Sequence, residues 1–400
     1  MANLSPRSSV VIVGGGIVGL AVAYQLLSRF RGIKVTVVEK EPELAFHQTG
    51  RNSGVLHAAP YYKPKSAKAI LCRTGLESMT NFARQHGIPY QICGKVIVAK
   101  DVTEEARLLA LFGTAQQNGV SCELIGQEAL LEREPHVRGT KAILVHDTGI
   151  IDYRAVAAKM AELIREEGGE ILLSTNVTGF QREGMWQRVA TNGPELRANI
   201  IVNAAGLYCD RLCKKAGAQP TAKILPFRGE YFELLPQARY LCNHLIYPVP
   251  DPELPFLGVH FTRMVSGGRE CGPNAVLAFA REGYNFWDCN IQDLVEILTY
   301  KGFLKMAWKW RGVGMAEVYR SLSKSAFVRE LQKFIPAVTA NDLVPAPAGI
   351  RAQAVFPDGD IAKDFVIVHE GPFVHILNAP SPAATSSLAI ADQVIDRMAA

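Results

Sequence analysis

The chain has 400 residues, enough to bury a substantial core and, by size, to build two domains. A composition of 48% apolar and 20% charged residues is that of an ordinary globular protein and excludes a disordered chain. The net charge of +5 is small for this length: it suits an acidic substrate or an anionic membrane surface and does not mark a nucleic-acid binder.

The eight cysteines stand at 72, 93, 122, 209, 213, 242, 271 and 289, with no C-x-x-C among them. That scatter predicts free thiols in a reduced compartment and no metal centre. Met1 to Ser9 is short and polar and carries no secretory pattern, and no run of eighteen apolar residues follows anywhere. A cytoplasmic chain is expected, with peripheral attachment to the inner face of a membrane left open.

In chain order, Val10 to Val13 reads as a buried parallel strand stopped by three glycines. Val18, Ala21, Val22, Leu26 and Phe30 then recur at helical spacing, and Val35 to Val38 forms a second buried strand ending at Glu39. Together they make one β-α-β unit. A polar, glycine-bearing loop covers 42 to 62, and helices are expected around 66–86 and 103–119. Asp152 is placed to cap a helix over 153–168. Strands are expected over 171–173, 177–181, 188–190 and 200–202.

Residues 221 to 285 read as strands with proline-rich turns. The stretch 291–322 reads mainly as helix, interrupted at Gly312-Val-Gly314. Strands at 365–368 and 374–377 precede a closing helix, with Ser381 as its N-cap and Pro382 at its first position. No repeat or low-complexity tract occurs. The elements predict an α/β, two-domain chain whose domains interleave: 1–90, 150–220 and 340–400 in one, 91–149 and 221–339 in the other.

Gly14-Gly-Gly16-Ile17-Val-Gly19 fits G-x-G-x-x-G between a strand and a helix. Gly14 allows the tight turn, Gly16 lets backbone approach a pyrophosphate, and Gly19 allows helix to pack on strand. The helix N-terminus, starting at Ile17, stabilises the anion. Glu39 ends the second strand, where an acid accepts hydrogen bonds from a ribose diol and disfavours a 2′-phosphate. These features alone leave FAD and NAD open.

Three further segments resemble the D-amino-acid-oxidase-like superfamily: Thr49-Gly-Arg-Asn-Ser-Gly-Val-Leu-His57, Ile200-Ile-Val-Asn-Ala-Ala-Gly206 and Asn378-Ala-Pro-Ser-Pro-Ala-Ala-Thr385. In that superfamily such segments wrap the pyrophosphate, lie near FAD, and meet the flavin ring. Within it, Ser53-Gly-Val-Leu-His57, Tyr61-Tyr-Lys-Pro64, Pro226-Phe-Arg-Gly-Glu-Tyr231, Gly272-Pro-Asn-Ala-Val276 and Gly349-Ile-Arg-Ala-Gln353 are together similar to the L-2-hydroxyglutarate dehydrogenases, over essentially the whole chain. The resemblance implies a Rossmann-like FAD-binding domain interleaved with a mixed β-sheet substrate domain. It implies FAD-dependent oxidation of L-2-hydroxyglutarate, or a similar 2-hydroxy dicarboxylate, to 2-oxoglutarate, with hydride passing to flavin N5. An amine oxidase of the same superfamily is the alternative. It carries cofactor contacts onto Gly14, Gly16, Ile17, Gly19, Glu39, Lys40, Arg51, Asn52, Ser53, Gly54, Val177, Ala205, Gly206, Gly349, Pro380 and Ser381.

Oxidising a 2-hydroxy acid requires a base for the hydroxyl proton and cations for the carboxylates. His57 and His260 are the candidates near the reacting carbon, with His260 preferred as base because histidine titrates near working pH. Arg351 matches the superfamily arginine that clamps the substrate carboxylate, although Ala352 stands where a proline follows in wider relatives; a guanidinium fork suits bidentate binding. Arg263 or Arg51 supplies a second cation, and Tyr62 and Tyr284 supply pocket hydroxyls. Lys301, Phe303, Leu304, Lys305, Met306, Trp308, Lys309, Trp310 and Arg311 place basic and aromatic side chains at helical spacing, as on a helix lying at an anionic membrane. Such contact fits electron transfer from the flavin to a lipid quinone, with oxygen as the other acceptor.

Overall fold

A computed structural model describes residues 8–251 and 256–399. The apolar run Ser9–Val13 (β1) lies inside a six-stranded sheet ordered Val366–Glu370, Phe373–Asn378, Ile200–Asn203, β1, Lys34–Val38 (β2) and Glu170–Leu172. All pairings are parallel except that of the edge strand Val366–Glu370. Both faces of β1 are covered, which is why it reads as continuous apolar sequence: Val10 and Ile12 enter one core, Val11 and Val13 another. Helix Ile17–Arg29 (α1) makes the crossover and packs on the helices Tyr153–Glu166 and Ser387–Ala399. Asp152 caps the former, accepting from the Arg154 and Ala155 backbone N–H groups at 2.9 and 3.1 Å.

A nine-stranded mixed sheet forms the second layer. Its path runs Val276–Leu277, Lys223–Leu234, Arg269–Gly272, His260–Arg263, Leu245–Pro248, Lys95–Ala99, Lys141–Val145 and Cys122–Gly126. Strand alternation gives this sheet two apolar faces. Val96, Val98, Ile246 and Phe261 pack with Phe327 and Leu331 of the helix Lys324–Gln332. Ile97, Ala99, Leu245 and Tyr247 join the core that also holds β1 and α1. The site described below lies on this second face, between the sheets.

Three expectations need correction. The strand Leu343–Val355 pairs along its length with Lys223–Leu234, so residues 343–355 belong to the nine-stranded sheet and not with the six-stranded one. The stretch 291–322 is three helices, Ile291–Leu298, Lys301–Lys309 and Arg311–Leu322, and Gly312 and Gly314 lie inside the third. Tertiary contact sets the breaks: the Tyr300 hydroxyl donates to the Val355 carbonyl at 2.8 Å, and a Cβ on Gly302 would sit 2.3 Å from the Phe356 carbonyl oxygen. Finally, Ser381 and Pro382 lie in a turn that runs to Ser386, and the closing helix begins at Ser387. Ser381 is therefore not an N-cap; its hydroxyl meets His57 instead.

Candidate active site

Between β1 and α1 the backbone turns at Gly14 with φ +118°, and a Cβ there would lie 2.5 Å from the Ala204 carbonyl oxygen. A Cβ on Gly19 would lie 2.1 Å from the Gly14 carbonyl oxygen, so this glycine sets how closely α1 meets the turn. Glu39 ends β2 with both carboxylate oxygens occupied by the backbone, accepting from Gly15 N–H at 2.7 Å and Glu41 N–H at 2.9 Å. Thr49 Oγ1 accepts from Ile17 N–H at 3.0 Å and so bridges the loop to the first turn of α1.

A cavity of about 430 Å³ opens at this turn, within the range of small-molecule and cofactor sites. Gly14, Gly16, Glu39, Lys40, Val177, Ala205 and Gly206 line it. A glycine turn that admits no Cβ at Gly14, a helix N-terminus and an acid at the strand end fit the pyrophosphate and ribose of FAD. At its wall, Lys40 Nζ lies 2.7 Å from Glu282 and 3.2 Å from His47, and also pairs with Glu41. Glu41, His47 and Glu282 are the grouping of possible metal ligands among the described residues, and the Lys40 ammonium already supplies the cation there.

The loop that follows is held mostly by itself. Asn52 Nδ2 donates to the Gln48 and Thr49 carbonyls at 2.9 and 2.7 Å, and its Oδ1 accepts from Gly54 N–H at 2.8 Å. Ser53 lies within this turn, half-buried. Arg51 donates to the Phe46 carbonyl and stacks over Tyr284 at 4.0 Å, while a Cβ on Gly349 would lie 2.5 Å from the Arg51 carbonyl oxygen. Arg51, Asn52, Ser53, Gly54 and Gly349 therefore shape the loop and do not line the cavity.

The loop ends in the short strand Val55–Leu56, which delivers His57 to a second basin. His57 N–H donates to Thr385 Oγ1 at 3.1 Å, and its Nε2 lies 3.3 Å from Ser381 Oγ. Tyr62 also hydrogen-bonds Ser381, and the Pro380 carbonyl accepts from Ala383 N–H at 2.9 Å, closing that turn. His260 enters from the nine-stranded sheet. Its ring packs on Tyr247 of the neighbouring strand at 4.0 Å, and its Nδ1 lies 2.9 Å from the Gly258 carbonyl oxygen. Lys95, on the strand beyond Tyr247, places its Nζ 4.6 Å from the Tyr61 ring centre and 4.8 Å from that of Tyr247.

Burial dominates the titration of this basin. It holds His57 down at about 3, helped by the positive charge of Lys95 and by His260 and Lys68. Burial likewise lowers His260 to about 4, with Arg351 and Lys95 adding to the effect against the Gly258 hydrogen bond. Both imidazoles are neutral at pH 7. Burial lowers Lys95 to about 7 and Lys68 to about 8. The hydroxyls of Tyr61 and Tyr62 are pushed well up by burial and stay protonated.

The structure thus brings together His57, His260, Arg351, Tyr62 and Ser381. Arg263 is three residues along the strand from His260, hence on the opposite face, near Cys93 and Cys242. Tyr284 bonds His47 Nδ1 at 2.6 Å and lies with Arg51 on the cofactor-loop side. Neither joins the histidine basin, and nor does Arg51. Lys95, Lys68 and Tyr247 do, and the sequence reading missed them. A signal existed for Lys95: it is the one charge in Lys95-Val-Ile-Val-Ala99, an otherwise apolar strand.

A family model described as FAD dependent oxidoreductase matches residues 9–397. The chain is 43% identical over 389 residues to an L-2-hydroxyglutarate dehydrogenase of Escherichia coli strain K12, covering 97% of this chain and 92% of that one. It is 44% identical over 407 residues to the mitochondrial L-2-hydroxyglutarate dehydrogenase of Homo sapiens, covering 97% and 88%. Among solved structures, the FAD-bound L-alpha-glycerophosphate oxidase of Mycoplasma pneumoniae superposes with a TM-score of 0.80 at 23% identity, covering 98% of this chain and 94% of that one. An L-proline dehydrogenase from P. horikoshii gives 0.70 at 19% identity, covering 98% and 93%.

Proposed function

This chain belongs to the FAD-dependent oxidoreductase family, and from that membership and the basin's chemistry we propose that it oxidises L-2-hydroxyglutarate to 2-oxoglutarate. One observation carries the reading: two neutral histidines, His260 buried and His57 half-buried, stand among cations on the face where the cofactor-side loop meets the nine-stranded sheet. FAD, when bound, supplies the two-electron acceptor for the hydrogen on the hydroxyl-bearing carbon. The protein's part is to hold the acid and to take the hydroxyl proton.

His260 is the base in this proposal. A carbonyl oxygen only accepts, so the bond to Gly258 places the imidazole proton on Nδ1 and leaves Nε2 with its lone pair. Nε2 takes the hydroxyl proton as the carbon is oxidised. His57, held against Ser381 and anchored through its backbone to Thr385, positions the hydroxyl from the other side. Arg351 binds the carboxylate next to the reacting carbon, its charge reaching His260, Tyr231 and Tyr247.

The test is the visible spectrum of the purified flavoprotein under anaerobic L-2-hydroxyglutarate, with the D-isomer as control. Bleaching by the L-isomer alone, with 2-oxoglutarate formed and no ammonia when amines are screened, supports the reading. A flavin band that neither isomer bleaches sinks it.

For the electrons' exit, we propose a membrane acceptor. No helix of the described residues is long and apolar enough to cross a membrane. The helices Ile291–Leu298, Lys301–Lys309 and Arg311–Leu322 instead expose Ile291, Val295, Leu304, Trp308, Met315 and Leu322, with Trp308 73% accessible. Lys301, Lys305, Lys309 and Arg311 are exposed among them, a pairing of charge and apolar surface that suits an anionic bilayer face and a lipid quinone.

A further inference from the structure

Lys95 is fully buried, and its Nζ has no hydrogen-bond partner. Among the described residues the other deeply buried lysine and arginine side chains are paired: Arg228 with Glu230 at 2.9 Å, and Arg281 bidentately with Asp210. Burying an ammonium without a counter-charge costs several kcal/mol. The cation–π contacts with the rings of Tyr61 and Tyr247 recover only part of that cost and supply no counter-charge. Beside it, the Tyr61 hydroxyl is also buried without a partner. Two buried donors without partners, side by side in one basin, are a place where an arriving anion would be satisfied.

Topology sets where that anion lies relative to the reacting centre. From Leu343–Val355 the sheet runs through Lys223–Leu234, Arg269–Gly272, His260–Arg263 and Leu245–Pro248 to Lys95–Ala99. Arg351 therefore approaches from one side of His260 and Lys95 from the other. Register keeps the groups on one face: Tyr247 stands opposite His260, and Lys95 is two residues from Ile97, the partner of Tyr247. The charge environment agrees. Arg351 acts on Tyr231 and His260, whereas Lys95 acts on His57 and His260.

We propose that Lys95 and the Tyr61 hydroxyl bind the distal carboxylate of the substrate, and so select a 2-hydroxy dicarboxylate over a 2-hydroxy monocarboxylate. This rests on the reading of the basin as a 2-hydroxy acid site with Arg351 on the near carboxylate. The arriving carboxylate supplies the missing counter-charge and restores the full ammonium, so selection comes from the cost of leaving Lys95 unpaired when a monocarboxylate binds.

The experiment compares wild type, K95M and Y61F with L-2-hydroxyglutarate and with L-2-hydroxybutyrate, which lacks the distal carboxylate. In K95M the ratio of kcat/KM between the two acids should collapse about 100-fold, mainly through KM for the dicarboxylate. Y61F should lower it about tenfold, and it reports on the same site should K95M lose its flavin. Glutarate binding, followed by perturbation of the flavin spectrum, should weaken in parallel, and the melting temperature of K95M should rise because an unpaired buried charge has gone. Equal losses of kcat for both acids, or unchanged glutarate affinity, would overturn the proposal. A wild type that binds glutarate through Lys95 yet oxidises neither acid would count against the function alone.

Discussion

The Gly258 carbonyl lies 2.9 Å from His260 Nδ1, and this contact decides which nitrogen faces the substrate. With the tautomer set and the ring buried, the base is neutral at working pH without needing an acidic partner. H260N removes the proton acceptor while the neighbouring cations still hold the acid. The anaerobic rate of flavin reduction should fall about 10³-fold with KM little changed, as read by stopped-flow absorbance. A loss confined to KM would make His260 a binding group and return the base to His57. Residue types were legible here, but facing was not. Arg263, Arg51 and Tyr284 stood beside the preferred Arg351 as further pocket candidates, and only strand parity and the closed loop set them apart from it. Lys95 shows the converse, since a lysine in an apolar strand is visible in sequence, whereas its lack of a partner is a property of packing.

At the scale of elements, local rules were enough where local chemistry decides. The β1–α1–β2 unit, the Asp152 cap and the buried strand Ile200–Asn203 lie where periodicity puts them, to within a residue or two. They failed where distant contacts decide, as at Tyr300 and Gly302, whose seating on 355–356 breaks the helical stretch earlier than its glycines would. The helix Lys301–Lys309 turns Gly302 and Met306 inward and leaves Leu304 and Trp308 in solvent. If that face meets a bilayer, L304D with W308D should cut binding to anionic vesicles about tenfold or more while flavin reduction by substrate stays as in wild type. Cosedimentation with vesicles rich in anionic lipid, at low and high salt, reads it. Wild-type protein that ignores such vesicles at low salt ends the membrane proposal.

The whole molecule places its titratable chemistry between two sheets, so the cost of that placement appears in global stability. His57 and His260 have folded values of about 3 and 4 against about 6.5 for free histidine. Well above pH 6.5 they are neutral in both states and add no pH dependence. Between 6.5 and 4 the unfolded chain takes up protons that the folded one refuses, so stability falls as the pH falls. Each histidine adds at most about 1.4 kcal/mol per pH unit to that slope. Glu282, held low at about 2 by its hydrogen bonds to His47 and Lys40 against the effect of burial, adds a loss in the same direction, but only below the ordinary carboxylate range. His375, lowered to about 4 by burial, acts in the same window as those two histidines, and Glu270, raised to about 7 by burial and by Glu233, acts there in the opposite sense, so the basin's share is read from the difference between wild type and variant. In denaturant titrations from pH 7.5 to 4.5, H57N/H260N should show a flatter profile than wild type, with the curves becoming parallel only towards pH 7.5. Identical slopes across that window would mean that both imidazoles titrate freely in the folded protein. The basin would then be open to water, and a base kept neutral by burial could not be the one that takes the proton.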